Sequence, residues 1–166
     1  MPGAGGHPAR AAARRWPHPR QDHNYTRHGT ITLFAALSYL DSKIFGQTAP
    51  RHTHHQWLAF LKHLDAKTPA DLTLHLVIDN YATHKHPKVK SWIAYRNRRQ
   101  RNAHGSERIV LHFTPTSSSW MNLVERFFRD LTEDAVRDGS FASVAELVRA
   151  IEGYLAKRNL TPKRYV

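Results

Sequence analysis

Cysteine is absent from all 166 residues, so neither disulfide bonds nor thiolate-bound metal sites are open to this chain. A membrane span requires about 18 consecutive apolar residues, and no apolar run of this sequence approaches that length. The first residues also lack the apolar core of a signal peptide. We therefore expect a soluble protein of a reducing, intracellular compartment. A glycine-rich phosphate loop and a nucleophile elbow are missing as well, which leaves nucleotide hydrolases and serine hydrolases without support.

Acidic residues are scarce: 13 Asp and Glu stand against 25 Lys and Arg, which gives a net charge of +12. This excess favours a polyanionic partner, because clustered Lys and Arg neutralise phosphates and release counterions. The alternative is a merely basic protein from an arginine-rich genome. The length and a hydrophobic content of 40% predict one packed domain.

The hydrophobic pattern divides the chain into a lead and a folded part. Residues 1–21 form a basic, Pro-, Arg- and Ala-rich lead without apolar periodicity, which we expect to be disordered. A charged arm that contacts DNA is the alternative for this lead. The remaining pattern predicts the order β-β-α-β-α-β-α-α, a mixed α/β sheet covered by helices. The predicted strands are 30–37, 43–49, 72–78 and 108–113; the helices are 54–66 after Thr53 as cap, one from 87, one capped by Ser118 or Ser119, and 144–157.

Two carboxylates stand out in this pattern. Asp79 directly follows a buried strand, where an α/β sheet faces its ligand crevice. Glu125 lies on an amphipathic helix that follows the next strand along the chain. Two such carboxylates on a basic protein indicate divalent-metal chemistry on nucleic acid, since hard cations prefer carboxylate oxygens.

Each carboxylate also has a structural alternative. Asp79 could instead cap the loop that begins at Asn80, and its position alone does not decide between the two roles. Glu125 could be an exposed helical residue paired with Arg129 at i+4, and its position alone favours that role.

The histidines offer a competing metal site. They cluster at His52, His54 and His55, and again at His84 and His86. Neither cluster has i,i+4 pairing and no cysteine assists, so we interpret them as loop or helix-start residues with adventitious nickel or zinc affinity.

Two longer stretches resemble the catalytic blocks of a known family. Residues 77–85, VIDNYATHK, look like the second block of bacterial mariner-like insertion-sequence transposases, and residues 113–125, FTPTSSSWMNLVE, resemble the third. The segments 25–30 and 159–166 are similar to the same family, so the resemblance covers roughly 22–166. It implies an RNase H-like DDE endonuclease domain, a mixed sheet flanked by helices, that cuts and joins DNA with Mg²⁺ or Mn²⁺.

The resemblance also assigns residues by their position in the blocks. Asp79 matches the second catalytic, metal-binding carboxylate and Glu125 matches the third. Other residues of the blocks would shape the site or contact DNA: Asn80, His84, Lys85, Ser119, Trp120 and Asn122.

The first carboxylate of the family has no counterpart in this sequence. It should end a central strand upstream of the first hairpin, where this chain has its Pro- and Arg-rich lead. Asp22 and Asp41 do not occupy that place. We therefore predict a truncated, partial catalytic domain at 22–166 that lacks its first, central strand. Its two-metal site would form only if a third carboxylate were supplied.

The second departure is the basic segment 96–108, which lengthens the interval between Asp79 and Glu125 beyond what is usual in these blocks. The segment could be a solvated loop or could hold a DNA backbone.

The predicted function is DNA cleavage and strand transfer by an insertion-sequence transposase, with weak or no activity from this chain alone. Its expected partners are transposon ends and target DNA, a second copy or an intact transposase, and no membrane. Its expected place is the bacterial cytoplasm, at the nucleoid. A non-catalytic DNA-binding remnant that modulates an intact transposase is the alternative, and a product without function is a third reading.

Overall fold

The computed structural model describes residues 29–115, 122–137 and 139–165. Its elements follow the predicted order. They are β1 (Thr32–Leu37), β2 (Ile44–Ala49), α1 (His54–Lys67), β3 (Leu74–Ile78), a 3-10 turn (Ala82–Lys85), α2 (Pro87–His104), β4 (Ile109–Phe113), α3 (Asn122–Leu131), a π turn (Thr132–Val136) and α4 (Val144–Leu160). The predicted lead at 1–21 and Asp22 lie outside the described residues.

The first two strands form an antiparallel hairpin. Thr32 lies opposite Ala49, and Leu37 lies opposite Ile44. The connecting loop turns at Ser42, whose φ of 56° is in the left-handed region. Its backbone is closed by a 2.8 Å hydrogen bond from Ser38 N to Lys43 O.

The other two strands form a parallel pair. Leu74 lies opposite Ile109, and Ile78 lies opposite Phe113. A parallel pair requires a crossover connection, and here α2 supplies it. The carboxyl ends of β3 and β4 therefore lie side by side.

The predicted mixed α/β architecture with flanking helices is confirmed. The expectation of one sheet is corrected, because the described strands form two separate two-stranded sheets. The physical reason is that no described strand is hydrogen-bonded to both β1 and β3.

Two hydrophobic clusters hold these elements together. The first joins β1 and β3 to α1 and α2, and its buried residues include Phe34, Trp57, Phe60 and Val89. The rings of Phe34 and Phe60 stack with centroids 5.8 Å apart. The second joins the hairpin to α3 and α4 through Ile44, Phe127, Leu131, Ile151 and Leu155. In the described part of the chain, no helix has the length and apolar character to cross a bilayer.

The structure differs from the helix predictions at two places, and a third prediction is not tested. Thr53 occupies the cap position of α1, but its side chain makes no capping hydrogen bond. The Ser118 or Ser119 cap lies outside the described residues. The predicted loop in the basic segment 96–108 is wrong for most of its length, because α2 continues to His104 and ends at Gly105 with a φ of 70°. Buried polar residues, not apolar ones, hold this second half of the helix.

Candidate functional site

The carboxyl ends of β3 and β4 position the first group of predicted site residues. The parallel ladder continues past the strands through a 2.8 Å hydrogen bond from Thr114 N to Ile78 O. Asn80 then donates from Nδ2 to Thr114 O at 2.6 Å. This side chain closes the edge of the sheet immediately beside Asp79, which fixes where that carboxylate leaves the strand.

Asp79 performs the loop-capping role and still presents a free oxygen. Its Oδ1 accepts from Tyr81 N at 3.2 Å, an Asx turn, and lies 2.9 Å from His84 Nδ1. The side chain is 42% exposed. Its Oδ2 has no hydrogen-bond partner within the described residues, so it can accept a cation or a water without breaking the loop.

His84 holds Asp79 from a buried position. Its ring lies 4.3 Å from that of Trp57. Burial lowers the pKa of His84, whereas the hydrogen bonds and negative charge of Asp79 oppose that shift. A neutral imidazole with its proton on Nδ1 can donate to the carboxylate, and this fixes the rotamer of Asp79.

Lys85 brings positive charge to the same edge. Its Nζ lies 4.9 Å from the centroid of the Phe113 ring, at the end of β4. Phe113 is 40% exposed, so this cation lies at the surface beside the end of β4. Such a charge suits a phosphate approaching Asp79.

Glu125 lies in the first turn of α3 and is exposed. Phe127 and Leu131 of this helix are buried and anchor it in the second cluster. The expected structural alternative, a pair with Arg129, does not form: within the described residues Glu125 has no ion pair. Glu125 is likewise not in hydrogen-bond or ion-pair contact with Asp79.

The remaining predicted residues fall outside this description. Ser119 and Trp120 lie outside the described residues, and so does the side chain of Asn122 at the start of α3. The structure therefore brings together Asp79, Asn80, His84 and Lys85, while Glu125 stands on a separate element.

Carboxylate oxygens of the kind presented by Asp79 and Glu125 fit the preference of Mg²⁺ and Mn²⁺. Across 29–115, 122–137 and 139–165, however, no three His, Cys, Asp or Glu side chains form a metal-binding group. Asp41, one of the two upstream acids, pairs with Lys43 at 3.3 Å in the hairpin loop. The donor chemistry fits a hard divalent cation, but a third carboxylate is not assembled by the described chain.

The histidines pack as rings around the site. His54 stacks on His86 with centroids 3.5 Å apart, and His52 stacks on Tyr81 at 4.9 Å. Desolvation lowers the pKa of His54, and the nearby charges of His55, His86 and Lys88 lower it further. Of these rings, His52 lies 6.2 Å and Tyr81 6.0 Å from the ring of His84, the partner of Asp79.

Sequence reasoning missed two aromatic contacts next to Asp79. Trp57 of α1 contacts the ring of His84, and His52, in the loop before α1, stacks on Tyr81. Trp57 carried only a core signal, as part of an apolar helical stripe, and the loop position of His52 carried no signal of this contact.

Comparison with known proteins adds three similarities. A family model described as DDE superfamily endonuclease matches residues 4–148. A protein of Shigella sonnei named "Insertion element IS630 uncharacterized 39 kDa protein" is 25% identical over 99 residues, which are 60% of this chain and 26% of that protein. This chain thus spans about a quarter of that relative's length.

Among solved structures, a cryo-EM structure of a simian T-cell lymphotropic virus intasome in complex with the PP2A regulatory subunit B56 gamma is similar with a TM-score of 0.43. The identity is 11%, over 76% of this chain and 43% of that chain. This likeness is too low to define the fold.

Proposed function

The chain belongs to the DDE superfamily endonuclease family, and from this membership we propose that it is the catalytic part of an insertion-sequence transposase. Its substrates would be the ends of the element and a target DNA. The reaction would be hydrolysis of a phosphodiester by water, followed by attack of the released 3′-hydroxyl on target DNA. No covalent protein intermediate is needed. The proposed place of action is the bacterial cytoplasm, at the nucleoid.

One observation carries this proposal beyond family membership. Asp79 ends a strand beside its parallel neighbour, is held by His84 at 2.9 Å, and keeps one carboxylate oxygen free within the described residues. A carboxylate that served only as a loop cap would not need a second contact with a buried imidazole. Preorganisation of this kind is what a catalytic carboxylate requires.

Asp79 and Glu125 are the residues that would hold Mg²⁺ or Mn²⁺. When bound, two such ions activate the attacking oxygen and stabilise the leaving oxygen of a phosphodiester. The protein's own contributions are local. His84 fixes the carboxylate, Asn80 fixes the strand end, and Lys85 attracts the phosphate.

We further propose that this chain has weak or no activity by itself. Among the described residues β1 is bonded only to β2, and β3 only to β4. Both β1 and β3 pack into the same cluster, through Phe34 and Ala36 on one side and Leu76 and Ile78 on the other. A strand bonded to both would join them into one RNase H-like sheet, and its end would bring a third carboxylate to Asp79.

The test is metal-dependent cleavage and joining, assayed on DNA that carries the sequences flanking the gene. We expect little cleavage from the chain alone and clear cleavage after a strand ending in Asp is supplied upstream. Asp79→Asn and Glu125→Gln should each lower that activity at least 100-fold, while Glu133→Gln, an exposed acid of the π turn, serves as the control. Activity of the supplied chain that survives Asp79→Asn would contradict the proposed site.

The second candidate function is a non-catalytic DNA-binding remnant that modulates an intact transposase. It is favoured by the absence of a three-residue metal group within the described chain. It predicts DNA binding that is unchanged by Glu125→Gln and inhibition of a full-length transposase in mixed reactions. If mixing leaves that transposase unaffected, this candidate fails.

A further inference from the structure

We infer that the exposed side of α2 binds the sugar-phosphate backbone of DNA along a track that leads away from Asp79. This inference rests on the proposed function, since it names the surface that would hold the same DNA. The residues of this surface, called the α2 basic face, are Lys88, Arg98 and Arg99, which helical spacing places within about 100° of one another around the helix axis.

The charge of α2 is of one sign. The 18 residues Pro87–His104 include six Lys and Arg and no Asp or Glu. A helix whose charges serve only solubility commonly carries both signs at i,i+4 spacing, because such pairs stabilise it. Repulsion along α2 is therefore a cost that binding to a polyanion would relieve.

Two of the six cations already have structural partners. Arg96 donates to Asp65 Oδ1 at 3.0 Å, and Arg101 donates to Glu107 Oε1 at 2.7 Å. The three residues of the α2 basic face are exposed, and none has a carboxylate within ion-pair distance in the described part of the chain. They are available for phosphates.

The position of α2 links this face to the candidate site. The 3-10 turn Ala82–Lys85 joins Asp79 to the helix, so α2 begins beside the Asp79 and His84 contact. A helix of 18 residues extends about 27 Å at about 1.5 Å per residue. That length corresponds to about eight base pairs of duplex at about 3.4 Å each.

Arg99 is preorganised on this face. Its Nη1 donates to Tyr95 Oη at 3.1 Å, and its guanidinium lies 5.9 Å from the centroid of the Tyr95 ring. Tyr95 is 45% exposed, so the pair stands at the surface. A guanidinium held in place presents its planar donors to a phosphate at a lower entropy cost than a free one.

A lipid surface fits this face less well than DNA. An interfacial membrane helix buries large apolar side chains next to its cations. Here Trp92 and Ile93 pack against the first hydrophobic cluster, and Ser91 and Ala94 are the small residues between the cations on the exposed side. The expected contact is electrostatic, independent of base sequence and sensitive to salt.

The experiment is equilibrium binding to a labelled 30-base-pair duplex, in EDTA and over a series of NaCl concentrations. The test variant is K88Q/R98Q/R99Q. The matched control is K67Q/R149Q/K157Q, which removes the same charge from exposed positions of α1 and α4. We expect the test variant to bind at least tenfold more weakly at 100 mM NaCl. Its log–log salt slope should fall by about 2.7, or about 0.9 per lost phosphate contact.

The control should change affinity by less than threefold. If both triple variants weaken binding equally, net charge and not this face holds DNA, and the inference is overturned. Unchanged DNA binding together with lost binding to vesicles of anionic phospholipid would overturn it as well. The single variant R98Q, expected to lower the slope by about 0.9, decides the matter if the triple variant does not fold.

Failure here is separable from failure of the proposed function. Cleavage is measured on the chain supplied with an upstream strand, where Asp79→Asn should abolish it, whereas the α2 basic face is tested by DNA binding in EDTA. A supplied chain that cleaves in an Asp79-dependent manner but binds DNA equally well after K88Q/R98Q/R99Q would keep the proposed function and lose the α2 basic face.

Discussion

Arg108 is a basic residue that serves the fold from a buried position. It is 1% exposed, and its Nε donates to Asp65 Oδ1 at 2.6 Å. Its two terminal nitrogens donate to four backbone carbonyls at and beyond the end of α1, those of Asp65, Thr68, Pro69 and Leu72. Arg108 therefore satisfies carbonyls that the end of a helix leaves without partners.

Asp65 is the counterion that this arrangement requires. Burial opposes ionisation of Asp65, but hydrogen bonds from Arg96 and Arg108 outweigh it and lower the pKa below its ordinary value of 3.8. We predict that Asp65→Asn lowers the free energy of unfolding by about 3 kcal/mol at pH 7, because it leaves a buried guanidinium without its charge partner. Urea denaturation measures this loss.

The pH dependence follows from the direction of the shift. The folded state favours ionised Asp65, so its contribution is fully present above the unfolded value and is lost as the pH falls through the folded pKa. The difference between wild type and Asp65→Asn should thus shrink below pH 4. Asp71→Asn, at an exposed acid, is the control and should cost less than about 0.5 kcal/mol. A difference that stays constant down to pH 2 would contradict this account.

The candidate site was predictable at the residue scale only in part. The strand pattern placed Asp79 at a sheet edge, and the structure puts it there. Of the two roles weighed for it, the loop cap is present, since Oδ1 accepts from Tyr81 N, and the metal-binding role stays a prediction. Glu125 was singled out by its occurrence together with Asp79 and by the resemblance, since its own helix position favoured a structural role. The contact of Trp57 with His84 joins distant parts of the sequence, which periodicity cannot reveal.

At the scale of elements, apolar periodicity predicted the order of strands and helices correctly. It failed in α2, where polar residues form the buried side. The order of strands and helices is confirmed, and the strand ends agree to within two residues. In α2 the apolar stripe stops at Ile93, so the basic remainder was interpreted as a loop. Asn97 and Gln100 continue the buried side instead, both 7% exposed. Their amide groups bind the backbone of neighbouring segments, a role that composition does not signal.

Asn97 provides the prediction at this scale. Its Oδ1 accepts from Arg108 N and Ile109 N at 3.1 and 2.8 Å, and its Nδ2 donates to Ile109 O at 2.8 Å. Asn97→Ala would leave buried backbone groups without partners at the start of β4. We expect a loss of about 2 to 3 kcal/mol in urea denaturation.

The matched control for this helix is Asn102→Ala, an exposed amide on α2. It should change stability by less than about 0.5 kcal/mol. Hydrogen exchange gives a second readout, because the amides of Arg108 and Ile109 should exchange faster in Asn97→Ala alone. Equal effects of the two variants would show that Asn97 acts through helix propensity and not through β4.

At the scale of the whole molecule, local sequence signals could not predict how the strands assemble. Each strand was recognised from its own pattern, but the expected single sheet needs a strand between β1 and β3 that the described chain does not provide. The order of strands in a sheet is a non-local property, because it depends on which strands pair with each other. Within the described residues, β1 and β3 each have one unpaired edge over a shared cluster, and the backbone donors and acceptors of these two edges can pair with another strand.

The last prediction concerns these two edges. Supplying an upstream strand that ends in Asp, read from the DNA before the Met1 codon in any forward frame, should protect amides of β1 and β3 together in hydrogen exchange. The reason is that one strand inserted between them would bond to both. Amides of α4, which packs on the hairpin side through Ile151 and Leu155, should change little and serve as the internal control. Protection of β1 without β3, or of neither, would mean that the added strand does not lie between the two sheets. The added strand would then not be the element that brings a third carboxylate to Asp79.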